Sequence, residues 1–364
     1  MQLVNQEILL HVSLIEDVGP QVCGLLLERF PDLSELYALT PYELHEKTGL
    51  FLHRAEKIVE GLADTLMLDR EKILLEKHDV SLVTVLDTEY PALLRTIHAP
   101  PAVFYYRGNL SILSKALAFV GSRKADTYGQ QVVNHLIPAV VQEAFATVSG
   151  GALGIDGMVH RATLNAGGKT VAVLGSGLLE LYPTQHTGLF EEIVYSGGLI
   201  MSEFPLLMQP LPGNFPARNR IIAGLSPATM VIQAARKSGA LITARNAIDE
   251  GREVGVVPGS IFNEISQGCH DLLAQGAQSI TSPDDIYELI GYTSKNTRRL
   301  GKIPAASNTA SKDPLVALCI TPKSTDELLL KAGYSYDTLQ ERLWQLQIEG
   351  RIEQNMLGMW CSLE

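Results

Sequence analysis

The sequence predicts an α/β protein in which a Rossmann-like, doubly wound parallel sheet is flanked by a small N-terminal helical domain and a C-terminal winged-helix domain. From about residue 115 to 290, short apolar or β-branched runs alternate with amphipathic segments, a pattern typical of parallel strands covered by helices on both faces. Outside this region, apolar residues recur at helical spacing. A chain of 364 residues is long enough for two or three domains.

Residues 1–65 are predicted to form the N-terminal helical domain. Apolar residues such as Ile8 and Val12 recur at helical spacing, and Thr40 followed by Pro41 is a typical helix start. The short helices and their Gly-containing turns resemble helix-hairpin-helix or SAM-like modules, which contact DNA backbones or other proteins. A small packing or docking bundle is the other interpretation, because such layouts serve many purposes.

The central Rossmann-like domain is predicted to span residues 66–291. Its first part, residues 66–114, is interpreted as a connector with an extra strand that joins the sheet. Apolar and β-branched runs then predict six further strands. These are residues 116–120, 146–150, 170–175, 198–204, 229–234 and 253–259.

A polar linker and a small C-terminal domain follow the sheet. Residues 292–312 are rich in Ser, Asn and Thr and are predicted to be the linker. In residues 313–364, a capping box from Ser324 to Glu327 begins a helix-turn-helix pattern that ends in a short hairpin, which predicts a winged helix. Its second helix carries Glu341 and few arginines, which favours contact with protein over duplex DNA.

The composition limits the possible functions. The net charge of −11 argues against a protein coated in positive charge, so that a polyanion must be met by a local site. The four cysteines lack the paired spacing of a metal or redox site, and no metal is expected. Neither a run of about 20 apolar residues nor signal-peptide features are present, so we expect a cytoplasmic protein without a membrane partner.

Three Gly-rich segments follow the first three strands of the predicted parallel series. They are residues 121–129, 149–160 and 175–183. In doubly wound sheets, ligands bind at the carboxyl ends of the strands, and free backbone N–H groups there can bind anions. We therefore expect one edge of the sheet to carry phosphate-binding groups.

Nucleotide fingerprints and catalytic pairs are not supported by the residue pattern. Glu180 stands where a dinucleotide fingerprint needs its third glycine, and Thr163 where a P-loop needs its first, so no NAD or ATP cofactor is expected.

Asp156 and His160 lie four residues apart and could form an acid–base pair. The preferred interpretation is that Asp156 orients the Gly-rich loop and His160 packs at the sheet. Cys269 and its neighbours do not suggest a catalytic pair.

The segment FPARNR, residues 215–220, combines charge with an aromatic ring. Arginine suits bidentate phosphate contact, and Phe215 offers a flat face on which a base can stack. Arg218 and Arg220 can be delivered to the same edge as the Gly-rich loops, and residues 238–245 add further donors. Salt bridges from these arginines to carboxylates such as Asp156 or Glu203 are the alternative.

Six segments follow one another along the central part of the chain: VGSRKADTYG, SGGALGIDGMVHRATLNAGGKTVAVLGSGLLELYP, SEFP, NFPARNRIIAGLS, SGALITARNAIDEGREVGVVPGS and GCHDLLAQGA. In this order they closely resemble the DprA (Smf) family of DNA-processing proteins. The resemblance covers about residues 80–290. It implies a homodimer built through the Rossmann-like domains that binds single-stranded DNA, protects incoming DNA and loads the RecA recombinase during natural transformation, without catalytic turnover.

The resemblance also implies which residues contact DNA. Together with Ser238 and Thr243, which our own interpretation adds, the predicted site comprises Gly121, Ser122, Arg123, Ser149, Gly150, Gly151, Gly154, Asp156, Gly175, Ser176, Gly177, Phe215, Arg218, Asn219 and Arg220. The chain departs from the family where basic residues are common: it has Thr184, Thr187 and Pro212 instead. Fewer cations should weaken the affinity and its salt dependence.

Two other functions fit parts of the pattern. A nucleoside-phosphate-processing enzyme similar to phosphoribohydrolases would use the same pocket and would need an acid or base, for which Glu203, Asp156 and His160 are the candidates. A protein-docking scaffold would use the terminal domains and would have no affinity for nucleic acid. We therefore expect a nonenzymatic binding protein, with the enzyme as the alternative.

Overall fold

The computed structural model describes residues 4–294, 313–319, 321, 323–355 and 358–362. The chain divides into two compact units, residues 1–296 and 297–364. The predicted linker, residues 292–312, falls almost entirely outside the described residues. The division of the first unit at residues 65 and 66 stays a prediction.

The N-terminal segment is helical, as its apolar spacing predicts. Its helices α1 to α5 are Asn5–Leu14, Pro20–Arg29, Pro41–Thr48, Leu52–Ala63 and Thr65–Lys77. The predicted start at Thr40 is confirmed, because its hydroxyl accepts a hydrogen bond from the backbone N–H of Glu43 and the Glu43 carboxylate accepts one from the backbone N–H of Thr40. The apolar faces of these helices belong to a core that continues onto the sheet at Tyr105 and Ile200.

A nine-stranded sheet forms the centre of the first unit. Its strands β1 to β9 are Ser81–Thr84, Val103–Gly108, Ala116–Val120, Ala146–Ser149, Thr170–Val173, Leu199–Ser202, Ala228–Val231, Glu253–Val256 and Gln278–Ser279. The spatial order is β1-β2-β6-β5-β4-β3-β7-β8-β9. The six strands predicted after residue 115 are all present, and their continuous burial explains why their sequences are apolar throughout.

The sheet is mostly, but not entirely, parallel. Strands β3 to β9 pair with one another in parallel, whereas β2 is antiparallel to both β1 and β6. The predicted doubly wound parallel sheet is thus present, with an antiparallel extension at one edge. The predicted extra strand is β1, and the aromatic run of β2 supplies a second one.

Helices cover both faces of the sheet. The helices α6 to α13 are Ala92–Arg95, Thr127–Gln142, Ile155–Asn165, Thr187–Tyr195, Asn214–Gly224, Ala240–Asp249, Gln267–Ala274 and Pro283–Leu289. The core of one face joins α10, α11 and α12 to alternate strand residues such as Ala118 and Val171. On the other face, α7, α8 and α13 pack against Leu117 and Phe119. This arrangement confirms the predicted doubly wound architecture.

The direction of winding changes between β3 and β7. From β3 the chain adds β4, β5 and β6 on one side, and it then returns to place β7 and β8 on the other side of β3. Loops that leave the carboxyl ends of β3 and β7 therefore diverge, and a crevice opens between them. Ligands of doubly wound proteins bind at such a point.

The second unit has its own apolar core. It contains helices α14 to α16, Pro314–Leu318, Thr325–Ala332 and Tyr336–Ile348, and an antiparallel pair of strands, β10 (Ile352–Gln354) and β11 (Trp360–Ser362). The predicted capping box of Ser324 and Glu327 is present. Helices followed by a hairpin match the predicted order of elements, and the assignment to the winged-helix class stays a prediction.

Among the described residues, none of the helices combines the length and the apolar character needed to cross a bilayer.

Candidate functional site

A cleft of about 680 Å³ lies at the carboxyl ends of β3 and β7. Its walls are the loop after β3, the loop after β7 and the first turns of α10 and α11. Predicted site residues that line the cleft are Gly121, Ser122, Arg123, Asp156, Phe215, Arg218, Asn219, Ser238 and Thr243. The switch point of the sheet therefore brings together side chains from four separate parts of the chain.

The remaining predicted site residues lie outside this lining. They are Ser149, Gly150, Gly151, Gly154, Gly175, Ser176, Gly177 and Arg220. Of the positions where the family commonly has a basic residue, Pro212 lines the cleft, whereas Thr184 and Thr187 do not.

Arg218 holds the loops of the cleft together from the inside. Its side chain is buried, and Nη1 donates hydrogen bonds to the carbonyl oxygens of Val173, in β5, and of Gly150, at 2.5 Å. Asp156 lies beside it and accepts hydrogen bonds from the backbone N–H groups of Gly150 (3.2 Å) and Ala152 (3.3 Å). The predicted orienting role of Asp156 is thus confirmed, and the charge of Arg218 is directed at protein atoms.

Arg220 forms the ion pair that was the alternative to DNA contact. Its two terminal nitrogens donate to the carboxylate oxygens of Glu203 at 2.5 and 2.6 Å, and Nε donates to the carbonyl of Ala99 at 2.8 Å. Both side chains of the pair are largely buried. Arg220 thus anchors α10 to the loop after β6, and its predicted contact with DNA stays a prediction.

Phe215 is half-buried at the wall of the cleft. Its ring centroid is 5.5 Å from that of Tyr182, and the guanidinium of Arg123 lies 5.8 Å from the centroid of Phe215. One part of the ring packs on Gly175, where a Cβ would approach Phe215 Cδ1 to 2.8 Å. The glycine thus provides space for the ring, and an aromatic platform remains at the cleft.

The third Gly-rich loop serves packing within the protein. Gly175, Ser176 and Gly177 are buried, and a Cβ on Gly177 would lie 2.1 Å from the carbonyl oxygen of Leu206. This contact explains the glycine without a ligand. The backbone N–H of Gly177 donates to the carbonyl of Met208 in the loop after β6, and the phosphate contacts expected of this loop stay a prediction.

The exposed cations at the cleft are Arg123, Lys124 and Lys237. Within the described part of the chain, none of the three forms an ion pair, and Asp156 is the carboxylate that lines the cleft. Sequence analysis missed Lys124 and Lys237. Their position immediately after β3 and in the loop after β7 was the signal that could have identified them. The cleft is a local basic site in an acidic protein.

Polar side chains fix the loops that carry these cations. The Ser122 hydroxyl accepts a hydrogen bond from the backbone N–H of Lys124 at 3.1 Å, and Asn219 Nδ2 donates to the carbonyl of Gly239 at 3.3 Å. Asp126 binds Gln233, in the loop after β7, at 2.8 Å and Asn263, in the loop after β8, at 3.0 Å. Three neighbouring loops are therefore tied to one carboxylate.

Groups for acid–base catalysis are poorly placed. His160 is fully buried, its Nδ1 lies 2.7 Å from Thr170 Oγ1, and burial, followed by the charges of His186 and Arg218, lowers its pKa to about 3. Glu203 is held by Arg220. Cys269 is buried, and burial raises the pKa of its thiol to about 11. Of the three candidates named for the enzyme alternative, Asp156 lines the cleft, whereas His160 and Glu203 do not.

A metal site is also not indicated among the residues that the structure describes, since no group of three His, Cys, Asp or Glu side chains could hold an ion there.

Comparison with known proteins links the sheet and cleft to one family. A family model described as DNA recombination-mediator protein A matches residues 81–291. The chain is 40% identical over 211 residues to DNA processing protein DprA of Bacillus subtilis. This alignment covers 57% of this chain and 71% of the relative. It is 42% identical over 204 residues to the DprA of Streptococcus pneumoniae, covering 56% and 72%.

Solved structures agree with the sequence matches. The X-ray structure of DNA processing protein A from Streptococcus pneumoniae superposes with a TM-score of 0.69 at 33% identity, covering 79% of this chain and 98% of the other. DNA processing protein A from Helicobacter pylori, whose single-stranded DNA binding mode has been described structurally, gives a TM-score of 0.53 at 30% identity, covering 59% and 97%.

Proposed function

Because this chain belongs to the DNA recombination-mediator protein A family, we propose that it binds single-stranded DNA in the cleft between β3 and β7. One observation carries the proposal: three exposed cations, Arg123, Lys124 and Lys237, line the same cleft as the half-buried ring of Phe215. Cations that neutralise phosphates next to an aromatic platform are the usual means of binding single strands without regard to sequence.

The same arrangement favours a single strand over a duplex. Stacking on Phe215 requires a base whose face is free, and bases in a duplex already stack on their neighbours. Arg123 lies against the Phe215 ring, so a phosphate on the guanidinium and a base on the ring can belong to adjacent parts of one nucleotide. The net charge of −11 repels nucleic acid elsewhere and concentrates binding at this cleft.

The wider role that we propose is that of a recombination mediator. As a homodimer formed through its Rossmann-like domain, the protein would protect incoming DNA and load the RecA recombinase during natural transformation, without catalytic turnover. The family match supports this role. The buried positions of His160 and Glu203 agree with binding rather than catalysis.

For the C-terminal unit, we propose a winged-helix module that contacts protein. Helix α16 exposes Trp344 and Ile348, which are 63% and 84% accessible, and Arg342 on the same helix pairs with Asp313. A helix that presents apolar rather than basic side chains is poorly suited to the major groove. The N-terminal helices keep their proposed SAM-like assignment.

Substitution of Arg123 tests the proposed DNA site. Arg123→Ala should weaken binding of oligothymidine and lower the slope of log K against log salt by about 0.7, because one phosphate loses its cation. The affinity can be measured by fluorescence anisotropy at several salt concentrations, with thermal unfolding as the check on folding. Arg161→Ala is the matched control, since Arg161 is an exposed arginine of α8 outside the cleft. Equal binding of single strand and duplex, unchanged in Arg123→Ala, would contradict the proposal.

A further inference from the structure

We propose that the bound strand extends beyond the cleft, past the cleft residue Lys124, onto a second nucleotide subsite at Phe262, an inference that rests on the proposed function. Phe262 lies in the loop between β8 and α12, and it is 91% exposed. Within the described residues its ring stacks on no other aromatic ring. A single exposed phenylalanine is common on protein surfaces, so the case depends on what surrounds this one.

The loop that carries Phe262 is fixed to the loop that lines the cleft. Asn263, the next residue, donates a hydrogen bond from Nδ2 to Asp126 Oδ2 at 3.0 Å. At the other end of the loop, the Tyr128 hydroxyl donates to the carbonyl of Pro258 at 2.6 Å. The Ser260 hydroxyl accepts a hydrogen bond from the Phe262 backbone N–H at 3.3 Å. The ring is therefore presented by an anchored turn.

Loop contacts link the cation-bearing edge of the cleft to the turn that carries Phe262. Arg123 and Lys124 are followed two residues later by Asp126, which holds both Gln233 of the β7 loop and Asn263 of the β8 loop. One consecutive Cα step is about 3.8 Å, so Lys124 and Asp126 lie within about 8 Å of each other. A strand that leaves the cleft past Lys124 can reach Phe262 within a few nucleotides.

The chemistry assigns different parts of the nucleotide to the two residues. Lys124 is exposed and free of ion pairs in the described part of the chain, and it suits a phosphate. Phe262 lies two residues before the exposed carboxylate of Glu264, which disfavours a phosphate there but not an uncharged base. Base stacking on an exposed ring is tolerant of sequence, as expected for a protein that takes any single strand.

The length dependence of binding tests this subsite. With oligothymidines of increasing length, Phe262→Ala should leave the affinity for the shortest bound oligomer unchanged and should weaken the affinity for longer ones about fivefold or more. Phe262→Trp should keep the affinity. The unmodified full chain already fluoresces through Trp344 and Trp360, and the extra fluorescence that the new indole adds should be quenched by long oligomers only. Phe51→Ala is the matched control, because Phe51 is 74% exposed in the N-terminal helical segment.

Three results would overturn the inference. Unchanged affinity of Phe262→Ala at every length, while Arg123→Ala still weakens binding, would remove the subsite and leave the proposed function intact. An equal loss at all lengths would place Phe262 in the cleft itself. Dissociation of a dimer by Phe262→Ala in sedimentation velocity without DNA would show that a second copy of the chain covers the ring. If Arg123→Ala also binds normally, the proposed function fails as well.

Discussion

Arg218 determines the shape of the cleft at the scale of single residues. Its side chain is 4% exposed, and it bridges the loop after β4 to the end of β5 through the carbonyls of Gly150 and Val173. Burial lowers its pKa to about 10, the nearby Asp156 carboxylate opposes that shift, and the guanidinium stays charged at neutral pH. Arg218 is thus a buried positive charge that connects the two segments beneath the surface that DNA is proposed to contact.

Removal of the Arg218 side chain should destabilise the protein. Arg218→Ala leaves Asp156 buried without its cationic neighbour, and loss of one member of a buried charge pair typically lowers the free energy of unfolding by about 3 kcal/mol or more. Urea unfolding followed by circular dichroism measures the change. Arg245→Ala is the control, as Arg245 is exposed on α11. Unchanged stability with weaker DNA binding would instead place the Arg218 guanidinium on the ligand.

His160 gives the stability a dependence on pH. Its pKa falls from 6.5 to about 3 on folding, chiefly because it is buried. Below pH 6.5 the unfolded chain binds a proton that the folded protein does not, so stability is fully present above pH 6.5 and declines as the pH falls towards 3.

The size of this decline is testable by substitution. His160→Gln should reduce the slope of unfolding free energy against pH, between about pH 6 and 4, by up to one proton, or about 1.4 kcal/mol per pH unit. Urea unfolding at a series of pH values gives the slope. His78→Gln, at an exposed position, should leave it unchanged. A slope that is the same in His160→Gln and the unmodified protein would show that His160 is protonated in both states.

At the scale of elements, helix α5 supports the loop after β6. Glu71 of α5 accepts a hydrogen bond from the backbone N–H of Leu206 at 2.8 Å, and Gly177 donates to the carbonyl of Met208 at 2.8 Å. Burial raises the pKa of Glu71. The same loop continues to Pro210 and Pro212, which line the cleft. The N-terminal helices therefore position one wall of the proposed DNA site.

Loss of this support should loosen the wall. Glu71→Ala is expected to speed hydrogen exchange at Leu206 and to weaken oligothymidine binding several-fold, while Glu71→Gln, which keeps the acceptor oxygen, should restore most of both. Hydrogen exchange by mass spectrometry and fluorescence anisotropy measure the two effects. Glu76→Ala, at an exposed position of the same helix, is the control. Normal exchange and affinity in Glu71→Ala would show that the loop holds its position independently.

The strands were easier to predict than their pairing. Continuous apolar runs such as β3 and β5 are evident in sequence because both faces are buried. The antiparallel pairing of β2 with β6 joins segments almost a hundred residues apart, and no local pattern encodes it. The two-residue strand β9 is too short to produce a periodic signal.

The site was predictable in position but not in every residue. Loops at the carboxyl ends of strands correctly located Arg123 and Phe215 at the cleft. A glycine in the sequence, however, does not show whether a ligand or another part of the protein occupies the space next to its Cα. At Gly175 the occupant is the Phe215 ring and at Gly177 it is the backbone of Leu206. Likewise, the sequence allowed Arg220 to meet either a phosphate or Glu203, and only the fold decides for Glu203.

At the scale of the whole molecule, the two units have separate apolar cores. The C-terminal core consists of residues from its own helices and hairpin, such as Leu315, Leu343 and Trp360. The last described residues of the first unit are hydrogen-bonded to that unit. The hydroxyl of Ser294 donates to the Glu143 carboxylate at 2.5 Å, and the Tyr292 hydroxyl donates to the same carboxylate at 3.1 Å. The cleft, its cations and their supporting contacts all lie within residues 1–296.

Residues 1–296 expressed alone should therefore fold and keep the oligothymidine affinity of the full chain. Every described residue that lines the cleft is retained, and the described residues of its three apolar cores all lie within residues 1–296. Thermal unfolding and anisotropy titrations of both forms, at matched salt, provide the comparison. Because α16 presents Trp344 and Ile348 rather than cations, the salt slope should also be the same in both forms. A loss of affinity of tenfold or more, with a smaller slope, would assign part of the DNA contact to the C-terminal unit and contradict its proposed role in binding protein.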